Sequence, residues 1–216
     1  TGSPEKPQVF PAPGQAGDFS LTNPPQTDKE GDKRSFSMAS APYESDLIVA
    51  TRMRDTAFKR SLETIPLGTE FVLDAPWGEL TLHEDTSIPA VFLTGGIGIT
   101  PVRSIVLQAT RDKLNQKLVL FYANRRPEDA AFLDELKQAE KENSNFTLIA
   151  TMTKMAGSSR PWQGETGLID QAMLTRHLKD ITVPIYYISG PPAMVDAMQK
   201  MLSSAGVKSG NVRAEE

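Results

Sequence analysis

Three glycines in the stretch Val91-Phe92-Leu93-Thr94-Gly95-Gly96-Ile97-Gly98-Ile99-Thr100-Pro101 are the most informative chemistry in the sequence. An apolar run leads into Gly95, Gly96 and Gly98, and a Thr-Pro pair then opens a helix, with Thr100 as N-cap and Pro101 at the first helical position. Glycine lets a backbone approach a ligand closely and adopt positive φ. The helix behind offers free N–H groups and the positive end of its dipole, which suits a pyrophosphate. The alternative is a tight turn without a ligand, since the spacing is not the stricter G-x-G-x-x-G. Ile188-Ser189-Gly190-Pro191-Pro192-Ala193-Met194 has the same plan, an apolar strand, a turn and a proline-set helix start. Alone it reads equally as an ordinary strand-to-helix loop. Arg34-Ser35-Phe36-Ser37 places a guanidinium and a ring on one side of a strand and two hydroxyls on the other. Arginine can grip a phosphate with two parallel bonds and a ring can cover a flat heterocycle, although core packing is the plainer reading of Phe36.

These segments need elements to hold them. From residue 87 onward the apolar runs 91–93, 118–121, 147–150 and 185–188 are continuous, the pattern of strands covered on both faces. Between them lie helical spacings: Val102, Ile105, Val106 and Ala109; Phe132, Leu133, Leu136 and Ala139 after an opening at Pro127; and Met194, Val195, Met198, Met201 and Leu202, closed by Gly206. This alternation predicts an α/β doubly wound parallel sheet with right-handed crossovers. Before residue 85 the signals are short strands at 34–39, 46–52, 70–73 and 79–82, with one helix near 56–62, which predicts a small barrel or sandwich. The expected units are 1–86 and 87–216, with 1–14 a poorly ordered lead-in.

Composition removes several classes. With 23 Lys+Arg against 27 Asp+Glu the formal net charge is −4, unlike the basic surface of a nucleic-acid binder. The absence of cysteine removes disulfides, thiolate nucleophiles and cysteine-ligated zinc or iron–sulfur clusters. His83 and His177 sit in no ligand spacing, so no metal is expected. No apolar run approaches the ~20 residues of a membrane span, and no signal segment opens the sequence, so the expected location is cytoplasmic. Chemistry must come from carboxylates, hydroxyls, backbone amides or an organic cofactor.

In order and spacing, these pieces resemble the ferredoxin–NADP⁺ reductase family from about Pro13 to the end. The resemblance implies an all-β FAD-binding barrel of six-stranded Greek-key type, truncated here at its N-terminus, followed by an NAD(P)-binding α/β domain. Pro13-Gly14-Gln15 matches the family's P-G-Q, and Arg34-Ser35-Phe36-Ser37 its R-x-Y-S, with Phe36 in the tyrosine position. That likeness implies that Arg34 and Ser35 bind FAD, that Phe36 stacks on the isoalloxazine and that Ser37 lies near flavin N5. The stretch 52–59 resembles the family's short phosphate-binding helix, with Thr56 in the hydroxyl position and Thr51 and Arg52 among the cofactor contacts; a plain N-cap is the other reading of Thr56. Gly95 to Pro101 matches G-G-x-G-x-T-P, which implies pyrophosphate near Gly95, Gly96 and Gly98 and the nicotinamide near Thr100. Ser189, Gly190, Pro191 and Met194 match C-G-P-P-x-M, with serine for cysteine.

Arg125, Arg126, Thr153 and Lys154 end the second and third apolar strands. Thr153-Lys154 resembles the family's Ser-Arg pair for a 2′-phosphate, which favours NADP(H) with NAD(H) possible; solvated surface charge is the alternative. Ser37, Ser189, Glu215 and Glu216 are the expected catalytic side chains. The implied reaction passes a hydride from NAD(P)H to FAD. Electrons then leave to a separate acceptor such as ferredoxin, flavodoxin, a quinone or oxygen. The sequence begins too late for the first barrel strands and stops short of the aromatic residue that covers the flavin in the family. A nucleotide-binding regulatory or interaction module whose shortened barrel no longer holds FAD is therefore the alternative function.

Overall fold

The central strands of the sheet behind the glycine turns have no polar face. In the computed structural model, which describes residues 11–215, six parallel strands form one sheet: β4 (Ala90–Gly95), β5 (Leu118–Asn124), β6 (Phe146–Met152), β7 (Glu165–Thr166), β8 (Ile185–Ser189) and β9 (Val212–Glu215), in the order β7-β6-β5-β4-β8-β9. Val91, Phe92 and Leu93 are 0% exposed, as continuous apolar runs in a doubly covered sheet require. On one face α2 (Ile99–Arg111) and α3 (Leu133–Glu142) bring Val102, Ile105, Val106 and Leu136 against Phe92, Leu120 and Tyr122. On the other, α4 (Gln171–His177) and α5 (Pro192–Ser204) bring Leu174, Val195 and Leu202 against Val91, Leu93 and Ile188. Asp170 starts α4 by accepting the Met173 N–H at 2.7 Å, and Gly206, at φ +85°, ends the α5 segment. From β4 the chain adds β5, β6 and β7 on one side, then returns to lay β8 and β9 on the other. Order therefore reverses between β4 and β8, and their carboxyl ends flank the crevice where such sheets bind ligands.

The preceding unit is antiparallel, with β1 (Ala16–Leu21) between β2 (Lys33–Ser37) and β3 (Phe71–Trp77). A short helix, α1 (Ala57–Thr64), packs against it. Thr56 caps this helix by accepting the Lys59 N–H at 3.4 Å. The fold class is thus a β unit followed by a doubly wound α/β unit, but the described residues of the first unit form three strands where the resemblance implies six.

The differences have local causes. In the expected strand 46–52, Ser40 Oγ takes the Ile48 N–H at 3.0 Å, while Lys59 Nζ donates to the Arg52 carbonyl and to Thr51 Oγ1. Side chains thereby replace ladder bonds, and one isolated bridge, Met38 to Val49, remains. At 79–82 the Glu79 carbonyl takes the Thr81 N–H, and Arg213 takes the Thr81 carbonyl at 2.8 Å. Residues 11–14, expected to be poorly ordered, form a packed turn. A Cβ on Gly14 would sit 2.1 Å from the Leu80 carbonyl oxygen, and residues 1–10 lie outside the described chain. Thr100 is not an N-cap: a 3₁₀ turn at Gly96–Gly98 runs directly into α2, and Thr100 Oγ1 donates to the Ile97 carbonyl at 3.1 Å. Nor does the next helix open at Pro127. Pro127–Asp129 is a 3₁₀ turn, and α3 begins only after Phe132, whose φ is +59°.

Leu120 lies at the centre of the α2–α3 face with no exposed surface. Leu120→Ala should cost about 2–5 kcal/mol, read as a lower urea midpoint at an unchanged m-value.

Candidate functional site

Two strand-to-helix turns meet at the reversal point, and their contact explains two of the three glycines. A Cβ on Gly98 would fall 2.3 Å from the Ser189 carbonyl oxygen and 2.7 Å from the Gly190 Cα. One on Gly95 would fall 2.4 Å from Met194 Sδ. Gly95 and Gly98 therefore let the turn after β4 pack on the turn after β8. Gly96 differs: it adopts φ +57°, and what stands over it is the Arg52 guanidinium, 2.8 Å from where a Cβ would be. Below the turn the buried Tyr122 hydroxyl shares its one proton between the Gly96 and Ala131 carbonyls, at 3.2 and 3.1 Å, and burial pushes its pKa up to about 12.

Arg52 belongs to the antiparallel unit yet lines a cavity of about 520 Å³ with Arg125, Arg126, Asp129, Lys154 and Ala156. Asp129 holds Arg126 through two bonds of 2.9 and 3.1 Å. Arg52, Arg125 and Lys154 pair with no carboxylate among the described residues. Backbone bonds set the spacing: the Asn124 carbonyl accepts the Thr153 N–H at 2.8 Å, and the Arg125 carbonyl accepts that of Lys154 at 2.8 Å. Thr153 Oγ1 also donates to Asn124, at 3.1 Å. Glu128 accepts the Ser159 N–H at 3.0 Å and so ties the following loop to this rim; its own backbone N–H and that of Ser159 hold its carboxyl down to about 2. Sequence reasoning assigned Arg52 to the flavin side, since linear order carries no sign that it crosses to this cavity.

In the antiparallel unit Phe36 is partly buried, with ring centroids 5.7 Å from Phe19 and 6.1 Å from Phe58. Arg34 lies over Phe58 and donates to Glu30 Oε2 at 2.8 Å and to three carbonyls of its own loop. Ser35 donates to Asp18 at 2.6 Å. At the start of α1 the Ala57 N–H donates to Asp28 at 2.8 Å. Asp28 and Glu30, which sequence reasoning passed over, thus bring carboxylates to the residues expected to hold phosphate. His83 is structural, wedged against Tyr187, the Ile88 carbonyl and Gln116. His177 faces Glu165 at 2.8 Å. Among the described residues no cluster of His, Cys, Asp and Glu could hold a metal ion.

The expected catalytic hydroxyls come from different sheets. Ser37 pairs with Ala16, which pairs with Trp77; across the seam, Ser189 pairs with Glu215. Gln15, Trp77, Gly78, Arg213 and Glu215 line a cavity of about 790 Å³ at this seam. Glu215 Oε2 is buried with no hydrogen-bond partner, and loss of solvent raises its pKa above the ordinary 4.5. Glu216 lies outside the described residues. An acid whose folded pKa is raised loses stability as pH climbs from its unfolded pKa through the folded one. Glu215→Gln should therefore raise Tm more at pH 7.5 than at pH 4, where both states are mostly protonated. An equal gain at both values would contradict the buried carboxyl.

Comparison with known proteins agrees with this geometry. Residues 92–200 match the family described as oxidoreductase NAD-binding domain. The propane 2-monooxygenase reductase component of Mycolicibacterium smegmatis is 30% identical over 197 residues, 89% of this chain and 55% of that protein. One polypeptide of the Na⁺-translocating NADH-quinone reductase of Pseudomonas aeruginosa is 31% identical over 202 residues, 92% of this chain and 47% of that one. The chain spans about half the length of these relatives. A ferredoxin NADP⁺ reductase from Neisseria gonorrhoeae, solved with FAD and NADP bound, superposes with a TM-score of 0.77 at 20% identity, over 97% of this chain and 89% of the other. The FAD/NAD-binding domain of nitric oxide dioxygenase from Vibrio cholerae gives 0.79 at 18% identity, over 96% and 85%. With the glycine turn, the reversed strand order and the family match all on the same strands, the chain belongs to the oxidoreductase NAD-binding domain family and has a ferredoxin reductase-like fold.

Proposed function

We propose that the chain is the dinucleotide-handling part of a flavoprotein reductase. In this reading FAD binds the antiparallel unit, NADPH (with NADH a second donor) binds the parallel sheet, and electrons leave to a separate acceptor such as ferredoxin, flavodoxin or a small molecule. A cytoplasmic location belongs to the same reading; no described helix is long and apolar enough to cross a membrane. The observation that carries it is the meeting of two strand-to-helix turns beside a cavity with four cations, Arg52, Arg125, Arg126 and Lys154.

Bound FAD would supply the redox chemistry, accepting a hydride and giving up electrons. The chain's own part is to bind and orient. Arg34, Ser35, Phe36, Ser37, Thr51 and Thr56 would hold the flavin, with a phosphate displacing Glu30 from Arg34. Gly95, Gly96 and Gly98 would lie along the pyrophosphate, and Thr100, Gly190, Pro191 and Met194 would shape the nicotinamide end. Ser37, Ser189 and Glu215, with Glu216, would surround the reacting atoms. The ribose preference rests on charge: β5 ends at Asn124 without an acidic residue for ribose hydroxyls, and Arg125 and Arg126 follow it, where cations suit a 2′-phosphate. Lys154 gives a point charge where arginine would give a fork.

A second reading, a nucleotide-binding interaction module without FAD, draws on Asp28 and Glu30 already engaging the Ala57 N–H and Arg34. The absorbance spectrum separates the two: a reductase shows flavin bands that bleach on anaerobic NADPH, while the module is colourless yet binds NADPH. Arg34→Ala should lower flavin content, because the phosphate loses its charged partner; unchanged content would remove the flavin assignment. Lys154→Ala should raise KM for NADPH about tenfold, the scale of one charge-assisted hydrogen bond. KM for NADH should stay within about twofold, and equal effects on both donors would remove the 2′-phosphate assignment.

A further inference from the structure

We propose that Arg103 is a positioning residue that sets the distance between the strand carrying Phe36 and Ser37 and the start of α2, which carries Thr100; the inference rests on the reductase reading above. Arg103 sits on α2, three residues beyond Thr100, and is 4% exposed. Its Nη1 donates to the Ala39 carbonyl at 2.7 Å and to Glu44 Oε2 at 2.8 Å. Nη2 reaches Glu44 Oε1 at 3.0 Å and Glu135 Oε2 at 2.6 Å, and Nε meets Glu135 at 2.9 Å. The Phe132 ring lies 4.9 Å beneath the guanidinium. Glu44 is held in turn by the Ala41 N–H at 2.6 Å, and the neighbouring Ser104 hydroxyl donates to the Ser40 carbonyl at 2.7 Å. Residues 39–44 are thereby fastened to the helix that issues from the glycine turn.

The choice of side chain is informative. Burying a guanidinium against a carboxylate, here Glu44 with Glu135 half exposed at the rim, often stabilises no more than a well-packed apolar group would. What arginine adds is direction, because its planar fork fixes the angle as well as the distance of each partner. The path is short: Ala39 lies two residues past Ser37 at the end of β2. Hydride transfer needs reacting atoms at roughly 3–3.5 Å, and a misplacement of about 1 Å can cost about 100-fold. A clamp at this point acts on alignment while leaving each binding surface intact.

The test compares Arg103→Lys, which keeps charge but loses the fork, with Glu135→Gln, which leaves the Ala39 and Glu44 partners in place. Flavin content, the NADPH dissociation constant and single-turnover flavin reduction are measured on flavin-loaded protein. Thermal unfolding is followed on protein stripped of both dinucleotides. Arg103→Lys should slow flavin reduction about tenfold or more with flavin content and NADPH affinity within about threefold, and Glu135→Gln should stay within about twofold. Stripped Arg103→Met should melt in two transitions where the parent melts in one. An unchanged rate in Arg103→Lys, or equal slowing in Glu135→Gln, overturns the proposal. A single transition in Arg103→Met overturns the clamp itself. If NADPH fails to reduce the parent, the reductase reading falls instead, and the melting comparison still decides the clamp.

Discussion

A main-chain contact between two turns governs the arrangement of this protein. Gly98 lies so close to the Ser189 carbonyl and Gly190 that no side chain fits between them, and Gly95 makes the same room for Met194. Because the turns end β4 and β8, this contact holds the two strands at the one place where the sheet order reverses. Helices cover both faces of the central strands, so a ligand of dinucleotide size finds its opening at the carboxyl edge. The glycines serve packing before they serve any phosphate, and Gly96 alone of the three faces a cation.

Charge is distributed around that opening by neighbours distant in sequence. Arg52 arrives from the antiparallel unit, Arg125 and Arg126 from the end of β5, and Lys154 from the end of β6. The same units are joined by Arg103, which sits between Glu44 and Glu135 while holding the Ala39 carbonyl. Arg52, Arg125 and Lys154 therefore face the cavity without a carboxylate partner, Arg126 faces it while held by Asp129, and Arg103 fastens the scaffold. Arg34 is likewise engaged, since Glu30 and three carbonyls occupy it.

The parallel sheet was legible because double burial writes itself as continuous apolar runs, and β4, β5, β6 and β8 carry such runs. The short edge strands β7 and β9 lack that signature and went unmarked. The antiparallel unit was harder to read. At 46–52 the alternation suggests a strand, yet Ser40 and Lys59 take the backbone groups that a ladder would need. The start of α3 moved for a similar reason: Tyr122 binds the Ala131 carbonyl and Phe132 packs beneath Arg103, so the chain turns once more before it coils.

Residue type and spacing by themselves determined the class of the second unit, the two glycine-bearing turns and the cationic ends of its strands. Each of these depends on a few consecutive residues whose propensities and periodicity act locally. Only the tertiary structure decided that Arg52 crosses to the Arg125–Lys154 cavity, that Glu215 Oε2 is buried without a hydrogen-bond partner, and that Arg103 fastens one unit to the other. Those outcomes follow from desolvation and from hydrogen-bond geometry between groups far apart in the chain. Neither quantity exists until the sheets have packed.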